Sequence, residues 1–492
     1  MFASLAAAPA GAAWHKASTA HFVIYADESP DKLRAFAARL EKFDKAVRQV
    51  RGMADPKVGD GNRLTVFVVP DIKAVQKLAV TMTNLTPNLA GFYTGGAEGS
   101  IAVVPRRSGD NDPDDQSTFF HEYAHHLMYF DLSDPTPLWY SEGFAEFMST
   151  VSFGKDGSVV LGRAALGRAN AVDDSRTFPL EKMLAANYDR LTEPEWEALY
   201  ARGWLLTHYL TFEPTRKGQI QRYLKDIGTG KNALTAAQGA FGEFAILDRN
   251  LHGYLGRSKM SALKVAAAAL PVGPVTVEPL SAGAAEIMPL RMRLKAGVLK
   301  ADQAALAQQI GTVAARHPAD ALVQVTLAEA EYRATRYAAA EAAADRALAA
   351  SPQSVDAMIY KGRAILQQAV LDEKGKSFAD ARSWFSKANK IDSEDPEPLM
   401  LFHETYARDS GRPTPNAIAA LHYASDLAPQ DHGLRIQSAY QYLRDNKLAQ
   451  ARKALVPIAF DPHGQGAAKL AQAAIARIDA GDGKGAQKAL ER

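Results

Sequence analysis

The sequence predicts an α+β domain, a small mixed sheet plus helices, followed by an all-α repeat solenoid. Three observations carry this. Short apolar runs of strand length, such as Arg63-Leu64-Thr65-Val66-Phe67-Val68-Val69, come early and alternate with helix-length amphipathic stretches. Across residues 266–285, Pro271, Pro274 and Pro279 interrupt alanines, valines and glycines, a composition with little helix-forming capacity. Beyond it the chain turns Ala- and Leu-rich, and its prolines recur: Pro318 and Pro352 stand 34 residues apart, and Pro396, Pro429 and Pro462 follow at intervals of 33. The expected division is a possible signal-peptide remnant or flexible tail over 1–18, an α+β domain over 19–262, a linker over 263–285 and repeats over 286–492.

Composition bounds the function. The 492 residues have room for two or three domains, and a hydrophobic content of 47% fills ordinary globular cores. A net charge of +2 gives no nucleic-acid footprint. With no cysteine there is neither a disulfide nor a thiolate metal site. No apolar run is long enough to span a bilayer. The small residues ending at Ala10 and Ala12 read as the tail of a signal peptide, which implies an exported or periplasmic protein; a cytoplasmic one is the alternative.

Taken in order, residues 21–25 form a strand, and Ser29-Pro30 opens a helix carrying Leu33, Phe36, Leu40, Phe43 and Val47 on one side. Residues 63–69 and 100–104 give two further strands. Asp112-Pro113, followed by acids and Ser117, is helix-start chemistry. The helix it opens carries Phe119-Phe120-His121-Glu122-Tyr123-Ala124-His125-His126, with an H-E-x-x-H at its centre. Histidines at i and i+4 share a helix face, so His121 and His125 can offer two nitrogens to one Zn²⁺, and Glu122 is placed to take a proton from water at that ion. His126 points about 100° away. A second helix is expected to start with Thr136 as N-cap and Pro137 as its first residue. It carries Trp139, Glu142, Gly143, Ala145 and Glu146. Folded back after a short loop, it brings Glu142 to the metal as a third ligand. The resulting His₂Glu set has an open fourth position, a catalytic arrangement. Glu146, one turn on, can accept the N–H of a ligand histidine. Residues 151–190 read as irregular, with a brief strand at 159–161. Thr192-Glu193-Pro194-Glu195 opens a helix holding Tyr200, Trp204, His208 and Tyr209.

H-E-x-x-H followed by W-x-x-E-G-x-A-E resembles the gluzincin metallopeptidases, the group of aminopeptidase N and thermolysin, over residues 20 to 260. The W-x-x-E-G-F-A form is most similar to the aminopeptidase N branch. The resemblance implies a zinc-dependent peptidase. It also gives Tyr200-Ala201-Arg202-Gly203 a role: the matching tyrosine donates a hydrogen bond to the oxyanion. From pattern alone Tyr200 reads as a core aromatic; His208 and Tyr209 read as packing residues, with His208 the reserve for the oxyanion role. The strand at 100–104 then stands where these enzymes have a substrate-binding edge strand. Two departures concern specificity. The His125-to-Glu142 gap is shorter than in aminopeptidase N, and Gly95-Gly96-Ala97-Glu98-Gly99 only loosely echoes the element that holds a substrate's free amine.

The 34-residue period with paired helices indicates tetratricopeptide repeats. A degenerate pair is expected over 286–317 and a capping pair over 467–490. Such a domain implies a protein or peptide partner at the repeats besides a peptide or protein substrate. Two other readings stay open: a catalytically silent zinc-binding scaffold acting through its repeats, and a zinc amidase on a non-peptide substrate.

Overall fold

The structure, a computed structural model, describes residues 14–83, 90–106, 116–131, 136–165, 178–186, 191–372, 375–409, 411–461 and 465–491. The expected signal-peptide residues 1–13 and the helix-start residues 112–115 lie outside them. No described helix is long and apolar enough to cross a membrane.

The elements in chain order begin with β1 (His15–Ser18), β2 (Phe22–Ala26), α1 (Pro30–Arg51), β3 (Leu64–Val69), α2 (Ile72–Thr83), β4 (Phe92–Thr94) and β5 (Ile101–Pro105). The metal-motif helices follow, α3 (Ser117–Asp131) and α4 (Leu138–Ser149), then β6 (Ser152–Phe153), β7 (Val159–Leu161) and α5 (Leu180–Leu184). Next come α6 (Glu193–Phe212), α7 (Gln219–Gly228), α8 (Ala233–Phe241), α9 (Phe244–Leu255), β8 (Leu263–Val265) and β9 (Thr276–Pro279). The repeat helices are α10 (Ala282–Ala296), α11 (Gln303–Arg316), α12 (Ala321–Arg333), α13 (Tyr337–Ala350), α14 (Val355–Val370), α15 (Phe378–Ile391), α16 (Pro396–Asp409), α17 (Pro415–Leu427), α18 (His432–Arg444), α19 (Leu448–Ala459), α20 (Gln465–Asp479) and α21 (Gly483–Leu490).

These elements fall into two compact units, each built from separated stretches. The first takes the chain up to Glu41, then Pro56–Arg106 and Val272–Leu427. It holds a six-stranded sheet in the order β4-β5-β3-β2-β1-β9, with β2, β3 and β5 parallel and β4, β1 and β9 antiparallel to their neighbours. The central strands are apolar throughout because both faces are covered. Tyr25, Phe67, Val103 and their neighbours pack on Val75 and Leu78 of α2 and on Met288 and Met292 of α10. The first repeat helix is therefore a layer of the sheet's own core. The pairs α10/α11, α12/α13, α14/α15 and α16/α17 stack onward from it, sealed by alanines such as Ala343, Ala344 and Ala347, which leave room for close helix contact.

The second unit takes Lys42–Asp55, residues 107–271 and Ala428–Arg492. It contains α3 to α9, the three-stranded sheet β6-β7-β8 and the last two helix pairs, α18/α19 and α20/α21. Its repeat core gathers Ala439, Leu455, Ile458, Ala471 and Ala474. Thr335, between α12 and α13, and Asn446, between α18 and α19, both take positive φ, 60° and 57°. The two pairs thus share one turn geometry, closed by Arg336 N–H to Glu331 O and Lys447 N–H to Tyr442 O.

The structure corrects several expectations. The stretch 263–285 is not a linker: β8 pairs with β7, β9 pairs with β1 and α10 starts at Ala282. Prolines spoil a helix there but not an edge strand, and Pro279 ends β9 at the sheet margin. Residues 15–18 of the expected tail form β1. The strand at 100–104 is no edge, because β4 covers it with Phe92↔Val103 and Thr94↔Ile101 pairings. Helix α4 starts at Leu138 with Pro137 as N-cap, so Thr136 makes no cap.

Candidate metal centre

Helix α3 is placed by its apolar side. Phe119, Phe120, Tyr123, Ala124, Leu127 and Met128 are buried, and the Phe120 ring lies 4.6 Å from that of Phe43 on α1. Polar contacts fix its rotation. Tyr123 donates its hydroxyl proton to Asp44 Oδ1 at 2.8 Å, and Arg48 Nε donates to Asp44 Oδ2 at 2.8 Å. His126 stacks on Tyr123 with ring centroids 5.3 Å apart and lies near Phe130, turned away from His125's partners.

Helix α4 is buried along its whole length from Leu138 to Met148. It crosses α6 at two glycines. A Cβ at Gly143 would stand 2.4 Å from the Gly203 carbonyl oxygen, and one at Gly203 would stand 2.8 Å from the Trp139 carbonyl oxygen. Only bare backbones fit at this crossing. Trp139 Nε1 donates to the Tyr223 hydroxyl at 3.0 Å, so the tryptophan of the motif is an anchor. Arg202 donates to the Phe178 carbonyl and pairs with Asp248, which makes the arginine of Y-x-R-G a brace of α6. Helix α6 itself opens with a capping box of Thr192 and Glu195.

These contacts bring the donor atoms together. His121 Nε2 and His125 Nε2 are 3.2 Å apart, and each lies 3.3 Å from Glu142 Oε2. A tetrahedral ion with bonds of roughly 2.0–2.1 Å separates its ligand atoms by about 3.3 Å. The three atoms therefore form one face of such a tetrahedron, and the fourth corner is left to a water or substrate. Two nitrogens and one carboxylate oxygen suit a borderline-soft divalent ion. The remaining ring nitrogens are oriented. His121 Nδ1 lies 3.2 Å from Glu146 Oε1, and His125 Nδ1 lies 3.3 Å from Ser141 Oγ. Burial alone would lower the His121 pKa, but hydrogen bonds to Glu142 and Glu146 raise it to about 10. The carboxylates that draw a proton there draw a divalent cation in its place.

The other predicted residues are distributed as follows. Glu122 lies beside His121 on α3 and is partly exposed. Tyr200 stands against His121, ring centroids 5.9 Å apart. His208 is fully buried elsewhere, bonded to Tyr254 and to the carbonyls of Gly162 and Ser261, so it serves no oxyanion. Glu98 of the Gly95–Gly99 stretch bonds Arg363 at 2.6 Å. Ser141 was not picked out from the sequence; its place next to Glu142 was the available signal. Nor was Asp461. It accepts from Tyr129 of α3 at 2.6 Å and lies 2.6 Å from His432, so the last repeats wall one side of the centre. His125, Ser141, Thr136, Pro457 and Phe460 line a small cavity there.

No family model and no curated protein matches the chain. Among solved structures it is similar to "MamA RS-1 ArsTM double mutant", at 16% identity and a TM-score of 0.28, covering 35% of this chain and 91% of that one. It is also similar to the yeast Tom70 crystal structure, at 13% identity and a TM-score of 0.30, covering 74% of this chain and 75% of that one. Both are helical-repeat proteins of tetratricopeptide type.

Proposed function

We propose that the chain is a zinc-dependent peptidase of gluzincin type, braced by its own repeats. The observation that supports this most directly is the triangle of His121, His125 and Glu142 donor atoms with one corner open. Zinc bound there supplies Lewis acidity toward a peptide carbonyl and a water. Glu122 takes a proton from that water and delivers it to the leaving amine. Tyr200 donates a hydrogen bond from its hydroxyl to the oxyanion as it develops and keeps its proton. Glu146 and Ser141 hold the ligand rings so that Nε2 faces the ion. An amidase acting on a non-peptide bond would use the same groups, and substrate choice alone separates the two.

A second reading is a protein-binding scaffold with a silent metal site. It is favoured by the repeats themselves, whose helix pairs form continuous stacks in both units. One experiment separates the readings: zinc content and cleavage of a mixed peptide library, wild type against Glu122→Gln. About one zinc per chain in both proteins, with cleavage reduced at least a hundredfold in the variant, is the expected result. Zinc without cleavage in the wild type selects the scaffold. A variant that cleaves as fast as the wild type overturns the mechanism.

A further inference from the structure

The first unit holds a cavity that the metal chemistry does not use. It lies between α15 and α17, the second helices of successive pairs; both pack on α16, whose first two turns line its floor. Side chains one turn apart meet on a helix face. Phe385 therefore comes beside Asn389 on α15, Pro398 beside Phe402 on α16, and Ala419 beside Tyr423 on α17. Phe385, Phe402 and Tyr423 supply rings, while the small Ala419, Ala420 and Pro398 leave the space between them unfilled. The cavity measures about 360 Å³, at the small end of the range for ligand sites, roughly 300–1,000 Å³.

Two polar groups give this apolar space a chemical preference. Lys390, one turn beyond Ser386, is exposed and forms no ion pair among the described residues, so an unneutralised cation stands at the mouth. The amide oxygen of Asn389 is buried without a hydrogen-bond partner. An amide in that state gains when its side chain turns to a donor inside the cavity. The Tyr423 hydroxyl donates to Glu394 Oε2 at 2.7 Å, which holds the ring in place and gives that carboxylate a partner.

We propose that this cavity binds a small aromatic carboxylate whose ring carries an N–H donor. The ring packs among Phe385, Phe402 and Tyr423, where offset and edge contacts favour an aromatic over an alkyl chain. The carboxylate lies against Lys390 as a charge-assisted partner. The N–H gives Asn389 the hydrogen bond it lacks. An aliphatic acid satisfies the cation alone, and an aromatic amine brings a like charge to Lys390. No residue of the metal centre takes part.

The test is isothermal titration of the full chain with indole-3-acetate, with decanoate and tryptamine as comparisons. The variants are Lys390→Gln, Asn389→Ala and Ala419→Phe, the last filling the cavity from its rim. Lys390 and Ala419 are both exposed, so these two variants keep the circular-dichroism spectrum of the wild type. The expected result is one indole-3-acetate per chain, bound about tenfold more weakly by Lys390→Gln, severalfold more weakly by Asn389→Ala and not measurably by Ala419→Phe, with tryptamine silent. Decanoate bound as tightly as indole-3-acetate overturns the aromatic class and leaves an acyl-chain cavity. An affinity unchanged in Asn389→Ala overturns the donor assignment. No heat from indole-3-acetate at millimolar concentration, or an affinity unchanged in folded Lys390→Gln and Ala419→Phe, overturns the site itself.

Discussion

Tyr200 and His208 share helix α6 as first and reserve candidates for the oxyanion, but eight residues move a side chain about 12 Å along a helix axis. Tyr200 meets His121, and His208 meets Tyr254. The carbonyls of Gly162 and Ser261 can only accept, so His208 carries its proton on Nε2 and its Nδ1 accepts a hydrogen bond from the Tyr254 hydroxyl. Burial, only partly offset by those carbonyls, lowers its pKa to about 4. An exposed histidine titrates near 6.5, so the unfolded chain takes up a proton that the folded chain refuses. Stability from this residue is whole above that value and is lost as pH falls toward the folded pKa, by up to roughly 3 kcal/mol. Urea midpoints measured at pH 7 and pH 5 should therefore fall less in His208→Gln than in the wild type. An equal fall would show that His208 is not the group responsible. Its helical spacing already favoured packing over the reserve role, but the partners that hold its proton, Tyr254, Gly162 and Ser261, come from distant parts of the chain and no local pattern names them.

At the scale of elements, the glycines of the two motifs explain why spacing alone was informative. Gly143 and Gly203 let α4 and α6 touch backbone to backbone, which sets Glu142 on one helix against His121 and His125 and Tyr200 on the other against His121. Gly143→Ala forces a Cβ toward the Gly203 carbonyl and the Thr207 hydroxyl. It is expected to cost about 1–3 kcal/mol of stability and to weaken zinc binding in competition with a chelator. Gly239, in α8, has open space around it, and Gly239→Ala should instead stabilise by about 0.5–1 kcal/mol. Equal effects of the two substitutions on urea midpoints would remove the crossing argument. The i, i+4 histidines were legible because helix periodicity is local. The need for a glycine at the crossing was not, because it depends on which helix comes opposite.

For the whole molecule, the linear division into an α+β domain and a repeat domain meets an interleaved fold. The sheet of the first unit is covered by Met288 and Met292 of α10, and the second unit closes α3 with Asp461 of the last repeats. A fragment of residues 14–285 lacks both. It should show no cooperative thermal transition in near-ultraviolet circular dichroism and should be digested quickly by protease; a fragment with the full chain's melting profile would restore the two-domain picture. Periodicity, composition and capping are properties of neighbouring residues, and they suffice for the helices of the metal motif, the strands at 22–26, 64–69 and 101–105, and the 33- to 34-residue helix pairs. The pairing of the proline-bearing stretch 263–285 as β8 and β9, the covering of β5 by β4, and the turn of Glu98 to Arg363 come instead from long-range packing. Edge pairing and charge matching join residues far apart in the chain, and no local pattern records which distant partner will satisfy a backbone N–H or a carboxylate.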